Sequence, residues 1–270
     1  MIYLIISFLT FLITIVSTPF LIKYLIKKDI VDKPNGEERR IHTEPIPTMG
    51  GIIIFVVIFF ITFAFYHDLI SKVYFIAGAF IAFGLGVADD LIEVKWHVKF
   101  IVQSLAAILL ILAFNESNLN IIQFMGYVLS PGFNYLVLFI LIVGLLNSFN
   151  LMDGLDGLVA GYSLIVASMC FLLNMGSEYS FISYLSAAII GTTLGFLKFN
   201  ANPARIFLGD TGSLTLGYLI SGLVIAISGE VSSAPELKIQ DHSNSIDLTF
   251  IFIALALPIA DTIRVMIVRL

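Results

Sequence analysis

The chain has 270 residues, of which 59% are hydrophobic and only 12% charged, and its net charge is −5. Soluble domains carry about 25% charged residues, so this composition cannot supply a water-facing surface and implies lipid as the solvent. The small, scattered negative charge excludes a nucleic-acid partner, and the single cysteine, Cys170 in an apolar run, excludes a disulfide framework and a zinc–thiolate site.

In chain order, Met1–Ile22 is almost wholly apolar, lacks a positive leading region, and runs into Lys23, Lys27 and Lys28 without a small-residue cleavage site. It reads as a retained transmembrane helix. Further apolar windows follow at 48–66, 73–88, 98–114, 133–149, 157–174, 179–197, 213–228 and 246–263. Their continuous apolarity favours helices over the alternating strands of a barrel. The expected fold is an all-α, polytopic integral membrane bundle of about nine spans, in one domain over 1–270 with no internal repeat. With the N-terminus outside, twelve of the lysines and arginines fall on inner ends and loops, and only Lys72 and Lys238 lie outside. That is a strong positive-inside bias. The outer connections 115–132 and 229–245 read as loops, with 119–129 lying along the interface. Pro258 is expected to bend the last helix, and Asp261 to pair with Arg264 one turn later.

Every unusual polar cluster falls on the inner side. The four segments are Asp32-Lys-Pro-Asn35 through His42 to Gly50-Gly51, Asp89-Asp90-Leu-Ile-Glu93, Asn147-Ser-Phe-Asn150-Leu-Met-Asp153-Gly-Leu-Asp156-Gly157, and Asn200-Ala-Asn-Pro-Ala-Arg205-Ile-Phe207-Leu-Gly-Asp210-Thr-Gly-Ser213. Six carboxylates (Asp89, Asp90, Glu93, Asp153, Asp156 and Asp210) are thereby expected at helix ends on one face. So many acids at a membrane boundary repel one another unless protonated or bound to a cation. The donors are hard oxygens, which suit Mg²⁺ or Mn²⁺ and hence phosphoryl chemistry. Glycines beside the acids allow close backbone approach, and Gly209-Asp210-Thr-Gly212-Ser213 stands just before a helix, whose N-terminus offers N–H groups to an anion. Phe207 could stack a nucleobase, and Arg39, Arg40 and His42 could steer a diphosphate.

These ordered motifs resemble those of the polyprenyl-phosphate N-acetylhexosamine-1-phosphate transferases, a family that includes the undecaprenyl-phosphate N-acetylglucosamine-1-phosphate transferases and the phospho-MurNAc-pentapeptide translocases. The resemblance implies that Asp210 is the principal Mg²⁺ ligand, with Asn150 and the Asp89–Asp90 pair near the metal. It implies that Asp153, Asp156, Asn200 and Phe207 line a uridine pocket and that His42 lies near the diphosphate or sugar. One of Asp89 and Asp90 would act in catalysis, by positioning charge rather than by taking a proton. The implied substrates are a UDP-N-acetylhexosamine and undecaprenyl phosphate, acting at the cytoplasmic face of a bacterial inner membrane, with UMP released. A homodimer is compatible with this reading. The Asp-Lys-Pro-Asn loop looks more like the N-acetylglucosamine type. The family pattern also implies a histidine-rich inner loop after the ninth helix, where this sequence stops at Leu270; either the chain is a fragment lacking the usual C-terminal portion, or those histidines are absent.

Blander readings stand beside these. Asp89-Asp90 could be a solvated helix end that caps the next turn, and Asn147 and Asn150 could be interhelical hydrogen-bonding groups. Asp153-Gly-Leu-Asp156-Gly157 and Gly209-Asp210-Thr-Gly-Ser213 could each be a turn with a cap. Lys27, Lys28, Arg39 and Arg40 are topology determinants first. A secondary transporter using the acids as an ion site, or a catalytically inactive homologue, are the alternative functions.

Overall fold

The computed structural model describes residues 1–33, 45–66, 72–116, 121–125, 127–129, 131–175, 180–232 and 245–269. Among these, ten helices dominate: α1 (Ile2–Lys27), α2 (Gly51–Phe65), α3 (Val73–Ile92), α4 (Trp96–Glu116), α5 (Pro131–Met152), α6 (Leu158–Leu173), α7 (Phe181–Asn200), α8 (Gly209–Ser232), α9 (Leu248–Ala254) and α10 (Ala256–Arg269). Each of the nine expected windows coincides with a helix or, for the last, with the α9–α10 pair. Six described helices are long and apolar enough to cross a membrane, seven if the bent pair is one span; α2 and α6 are apolar but shorter. The protein is therefore a multi-pass helical membrane protein, although the count of nine spans is not reached by length alone.

Burial decides which helix is central. In α8, 94% of the span Gly209–Ser228 is buried, against 22% in α1. Helix α8 packs against α2, α3, α5, α6 and α9. The outward faces of α1, α4 and α6 carry exposed Phe8, Phe20, Ile101 and Ile165, the apolar belt that a bilayer requires.

Small residues allow the helices to approach closely. On α1, Thr10, Thr14 and Thr18 form a fully buried stripe four residues apart, each hydroxyl donating to a carbonyl of its own helix at 2.7–3.0 Å. Such back-bonding satisfies the hydroxyl and leaves a smooth face. That face meets α7, where Ser7 Oγ donates to the Ala187 carbonyl at 2.7 Å.

The ninth window breaks as expected, though not at the proline itself. Helices α9 and α10 meet at a 70° bend around Leu255, and Pro258 lies in the first turn of α10, where its missing N–H is tolerated. The carbonyl that residue 258 would have engaged, that of Ala254, instead accepts the Tyr162 hydroxyl of α6 at 2.5 Å. One turn further, Arg264 Nη2 meets Asp261 Oδ1 at 2.8 Å, as the sequence predicts.

Two small sheets qualify the all-α expectation. Strands β1 (Val31–Asp32) and β2 (Ile46–Pro47) pair antiparallel beside α1. In the second sheet, β3 (Ile121–Phe124) pairs antiparallel with β4 (Tyr127–Val128) and parallel with β5 (Ser245–Asp247). The segment 119–129, expected to lie along the interface, thus folds in part as a hairpin turning at Met125, whose φ is 49°. A short run of β-branched and aromatic residues finds its backbone partners in the connection before α9.

The helices also run further than the hydropathy windows. Helix α3 continues through Asp89 and Asp90, α5 includes Asn150, α7 ends at Asn200, and α8 begins at Gly209. Hydropathy falls at the first charged residue, whereas a helix continues while its backbone groups find partners. Asp89, Asp90, Asn150, Asn200 and Asp210 therefore sit in terminal turns, whereas Asp153, Asp156 and Phe207 lie in the connections between helices.

The start of α8 is packed closely by glycines. A β-carbon at Gly86 of α3 would lie 2.4 Å from the Asp210 carbonyl, and one at Gly51 of α2 would lie 2.1 Å from the Gly212 nitrogen. Both clashes are with backbone, so relief requires the helices to separate. Gly86→Ala is expected to lower thermal stability by about 1–3 kcal/mol and to lower activity further, because it displaces the turn that carries Asp210. A melting curve alongside a turnover assay checks this, and unchanged values in both would contradict the packing.

Candidate active site

The C-terminal turns of α3 and α5, the first turns of α4 and α8, and the α5–α6 link converge at one end of the bundle. Asp210, in the first turn of α8, is at the centre. Its Oδ1 accepts Asn150 Nδ2 of α5 at 2.7 Å, and its Oδ2 lies 3.4 Å from Lys99 Nζ of α4. The same Lys99 ammonium forms an ion pair with Asp89 Oδ2 of α3. The one ammonium therefore bridges the Asp89 and Asp210 carboxyls. Asn150 Nδ2 also reaches Ser213 Oγ at 3.3 Å, one turn along α8. Four helices thus place two carboxylates, an amide, a hydroxyl and an ammonium around one point.

The two adjacent aspartates of α3 do different things. Asp89 is buried and directed at Lys99, while its Oδ1 accepts the Val94 N–H at 2.7 Å and so also caps the turn that follows the helix. Asp90 points at the start of α8: Oδ1 accepts the Asp210 N–H at 2.9 Å, and Oδ2 accepts the Thr211 N–H at 2.9 Å and its hydroxyl at 2.5 Å. It acts as an N-cap supplied by another helix, where both the free N–H groups and the helix dipole favour a carboxylate. Gly209, at φ 72°, turns the chain into α8 beside Asp90, in a conformation that suits glycine.

Asp153, in the α5–α6 link, lies near this helix start, within range of the Gly209 backbone and of the Asp210 and Asp90 charges. Burial, aided by the nearby charges of Asp210 and Asp90, holds the Asp153 carboxyl well above the usual carboxylate range. These contacts correct one expectation. The N–H groups of Asp210 and Thr211 are not free for an external anion, since Asp90 already accepts them. The acids that looked like ligands on sequence grounds in part hold the helix start in place.

Other predicted residues lie around this centre. Asp156 Oδ2 accepts Asn202 Nδ2 and the Ala204 N–H, each at 3.0 Å, which ties the α5–α6 link to the α7–α8 link. Asn200 is buried and donates to the Ile206 carbonyl at 3.0 Å, closing the loop it begins. Phe207 is half-buried, and its backbone is fixed by its N–H to the Pro47 carbonyl at 2.8 Å and by the Gly50 N–H to its own carbonyl at 3.0 Å. This pairing brings the Pro47–Gly51 segment against the start of α8. Glu93 takes a left-handed φ of 49° at the end of α3 with an exposed side chain, away from the cluster. His42, Arg39 and Arg40 lie outside the described residues.

Lys99 is the residue that the sequence reading used only as a topology marker. Its signal is a cation in the first turn of an apolar helix, with the polar Gln103 four residues later on the same face. Among the described residues, no three His, Cys, Asp or Glu side chains stand together as a closed metal cage. Asp89 and Asp210 form instead an open set of carboxylates around one positive charge, that of Lys99, and Asn150 joins it through Asp210.

These residues stand together at one end of a multi-pass helical membrane bundle. The chain belongs to glycosyl transferase family 4, whose model matches residues 72–228. It is similar to a Bacillus subtilis (strain 168) protein described as a probable undecaprenyl-phosphate N-acetylglucosaminyl 1-phosphate transferase, with 36% identity over 224 residues, covering 82% of this chain and 62% of that relative. It is also similar to phospho-N-acetylmuramoyl-pentapeptide-transferases of Listeria monocytogenes, 36% identical over 241 residues with 82% and 74% coverage, and of Caldanaerobacter subterraneus, 35% identical over 236 residues with 81% and 73% coverage. The chain thus spans less than two thirds of the first relative's length and about three quarters of the others'.

Proposed function

We propose that this chain transfers N-acetylglucosamine-1-phosphate from a UDP-sugar to undecaprenyl phosphate and releases UMP, at the cytoplasmic face of a bacterial inner membrane with its N-terminus outside. The observation that carries this reading is the meeting of Asp89, Lys99, Asn150 and Asp210 from four helices, in a chain whose relatives bear names of that chemistry. The grouping of these residues at one end of the bundle supports a transferase over an ion carrier, which would need charges near the bilayer midplane and access from both sides.

The donor set fits Mg²⁺ (or Mn²⁺): two carboxylates gathered on one ammonium leave negative charge to be offset, and the available donors are hard oxygens. Asp210 and Asn150 would hold the ion, with Asp89 adjacent. When bound, it supplies charge neutralisation at the diphosphate. The remaining work belongs to the chain. Attack of a lipid phosphate oxygen on the sugar-bearing β-phosphorus exchanges one phosphoanhydride for another, so the barrier lies in bringing two anions into line. Lys99 is placed to draw the lipid phosphate towards Asp210. Asp89 holds the Lys99 ammonium, and we assign it, rather than Asp90, the direct part in the reaction. Asp90 fixes the turn that carries Asp210. Asp153, Asp156, Asn200 and Phe207 would border the uridine, and His42 the diphosphate or sugar.

The test is a radiolabelled panel of UDP-N-acetylglucosamine and UDP-MurNAc-pentapeptide, with purified protein, undecaprenyl phosphate and Mg²⁺. UMP and labelled lipid are expected from UDP-N-acetylglucosamine. Turnover of the pentapeptide substrate alone would overturn the sugar assignment, and turnover of neither would overturn the transferase reading.

A further inference from the structure

One turn deeper into the bundle than Lys99 and Asn150, the same two helices meet again through polar side chains. Asn147 Nδ2 donates to Gln103 Oε1 at 3.0 Å, and Gln103 Nε2 donates back to Asn147 Oδ1 at 3.4 Å. Asn147 Nδ2 also donates to the Val143 carbonyl at 2.8 Å, which ties its amide to α5. Gln103 is only 4% exposed, so it stands behind the site, whereas Asn147 is exposed.

The spacing links this pair to the chemistry. Gln103 lies four residues after Lys99 on α4, and Asn147 three residues before Asn150 on α5, so each pair shares a helix face. The two faces form a ladder with two rungs. On the outer rung, Lys99 and Asn150 do not pair with each other; both reach Asp210, from opposite sides. On the inner rung, the helices bond directly. Apolar contacts between membrane helices tolerate sliding and rotation, whereas a reciprocal amide pair is satisfied in one register.

We propose that the Gln103–Asn147 pair is a positioning element that sets the register of α4 against α5, and thereby holds Lys99 and Asn150 together on Asp210. The inference rests on the transferase reading above and adds to it a residue that touches neither substrate nor metal. Gln103 acts through the two helices, so its loss lowers the rate of the chemical step rather than the affinity for the UDP-sugar.

The experiment compares wild type, Gln103→Leu and the exchange Gln103→Asn with Asn147→Gln in the UMP-release assay, with melting curves on each protein. Leucine keeps the volume and removes the amide. For Gln103→Leu, kcat is expected to fall about tenfold with KM for UDP-N-acetylglucosamine within about twofold, the size of losing one strong interhelical polar contact. The Mg²⁺ concentration for half-maximal activity is expected to rise, and the melting temperature to stay within about 3 °C. The exchanged pair is expected to recover most of the lost rate. Wild-type kcat in Gln103→Leu, a rate loss explained wholly by unfolded protein, or an exchanged pair no better than Gln103→Leu would each overturn the proposal. A wild type that releases no UMP overturns the transferase reading itself, which separates the two failures.

Discussion

Asp210→Asn is expected to reduce UMP release by about 10²–10³-fold or more, with membrane insertion and yield of monodisperse protein unchanged. The substitution keeps the shape. An asparagine carbonyl can still accept from Asn150 Nδ2, which lies 2.7 Å from Asp210 Oδ1 in the wild type, and the backbone N–H of residue 210 still donates to Asp90. Only the charge is removed, and with it the one group that Lys99, Asn150 and Asp89 all address. Because the helix start is held through the backbone by Asp90, the scaffold does not depend on the Asp210 carboxylate. The check is turnover measured beside a melting curve, and retained turnover would remove Asp210 from the reaction.

Lys99→Met is expected to have the second largest effect, a loss of about 10²-fold or more in kcat/KM. The lysine is the counter-charge to Asp89 and Asp210. Removing it leaves two neighbouring carboxylates with no cation between them, which repel each other unless a proton or metal ion compensates. Methionine preserves the length and apolar stem, so packing of α4 is retained. Lys99→Arg is expected to remain well below wild type, since a planar, rigid guanidinium does not replace a compact ammonium between two acids on different helices. A side-by-side assay of both variants decides the point. Wild-type rates in Lys99→Met would reduce the residue to a topology marker, and full activity in Lys99→Arg would reduce its role to bare charge.

The contrast between these residues shows what could be read from the chain. The helical membrane class was legible because continuous apolar windows have few other solutions. The gathering of Asp89, Asp90, Asn150, Asp153 and Asp210 was legible because the positive-inside pattern placed them on one side. Their individual roles were not. Asp90 and Asp89 are neighbours in sequence, but consecutive helical positions point about 100° apart, so one caps α8 while the other meets Lys99. No sequence pattern announces a cap supplied by a distant helix. The expected free N–H groups at the start of α8 failed for the same reason.

Helix ends were misplaced where a hydropathy drop and the end of the hydrogen-bonded ladder differ, as at Asp89-Asp90 and at Gly209-Asp210. The β3–β4–β5 sheet escaped because its strands are short and its parallel partner, Ser245–Asp247, lies more than a hundred residues away. Glu93, counted with the other acids on spacing, faces outward because the helix ends there in a left-handed turn. Lys99 and Gln103 were hidden by a simpler explanation, since a lysine at a helix end already satisfies the topology rule.

The central claim is that Asp89, Asn150 and Asp210, brought together from three helices, form one site for a divalent ion and a nucleotide-sugar diphosphate. Mn²⁺ titration of the purified chain by electron paramagnetic resonance, in the presence of UDP-N-acetylglucosamine, tests it most directly. One bound ion per wild-type chain, lost in Asp210→Asn, is the expected result. Undiminished ion binding in Asp210→Asn, or no ion bound by the wild type, would contradict it.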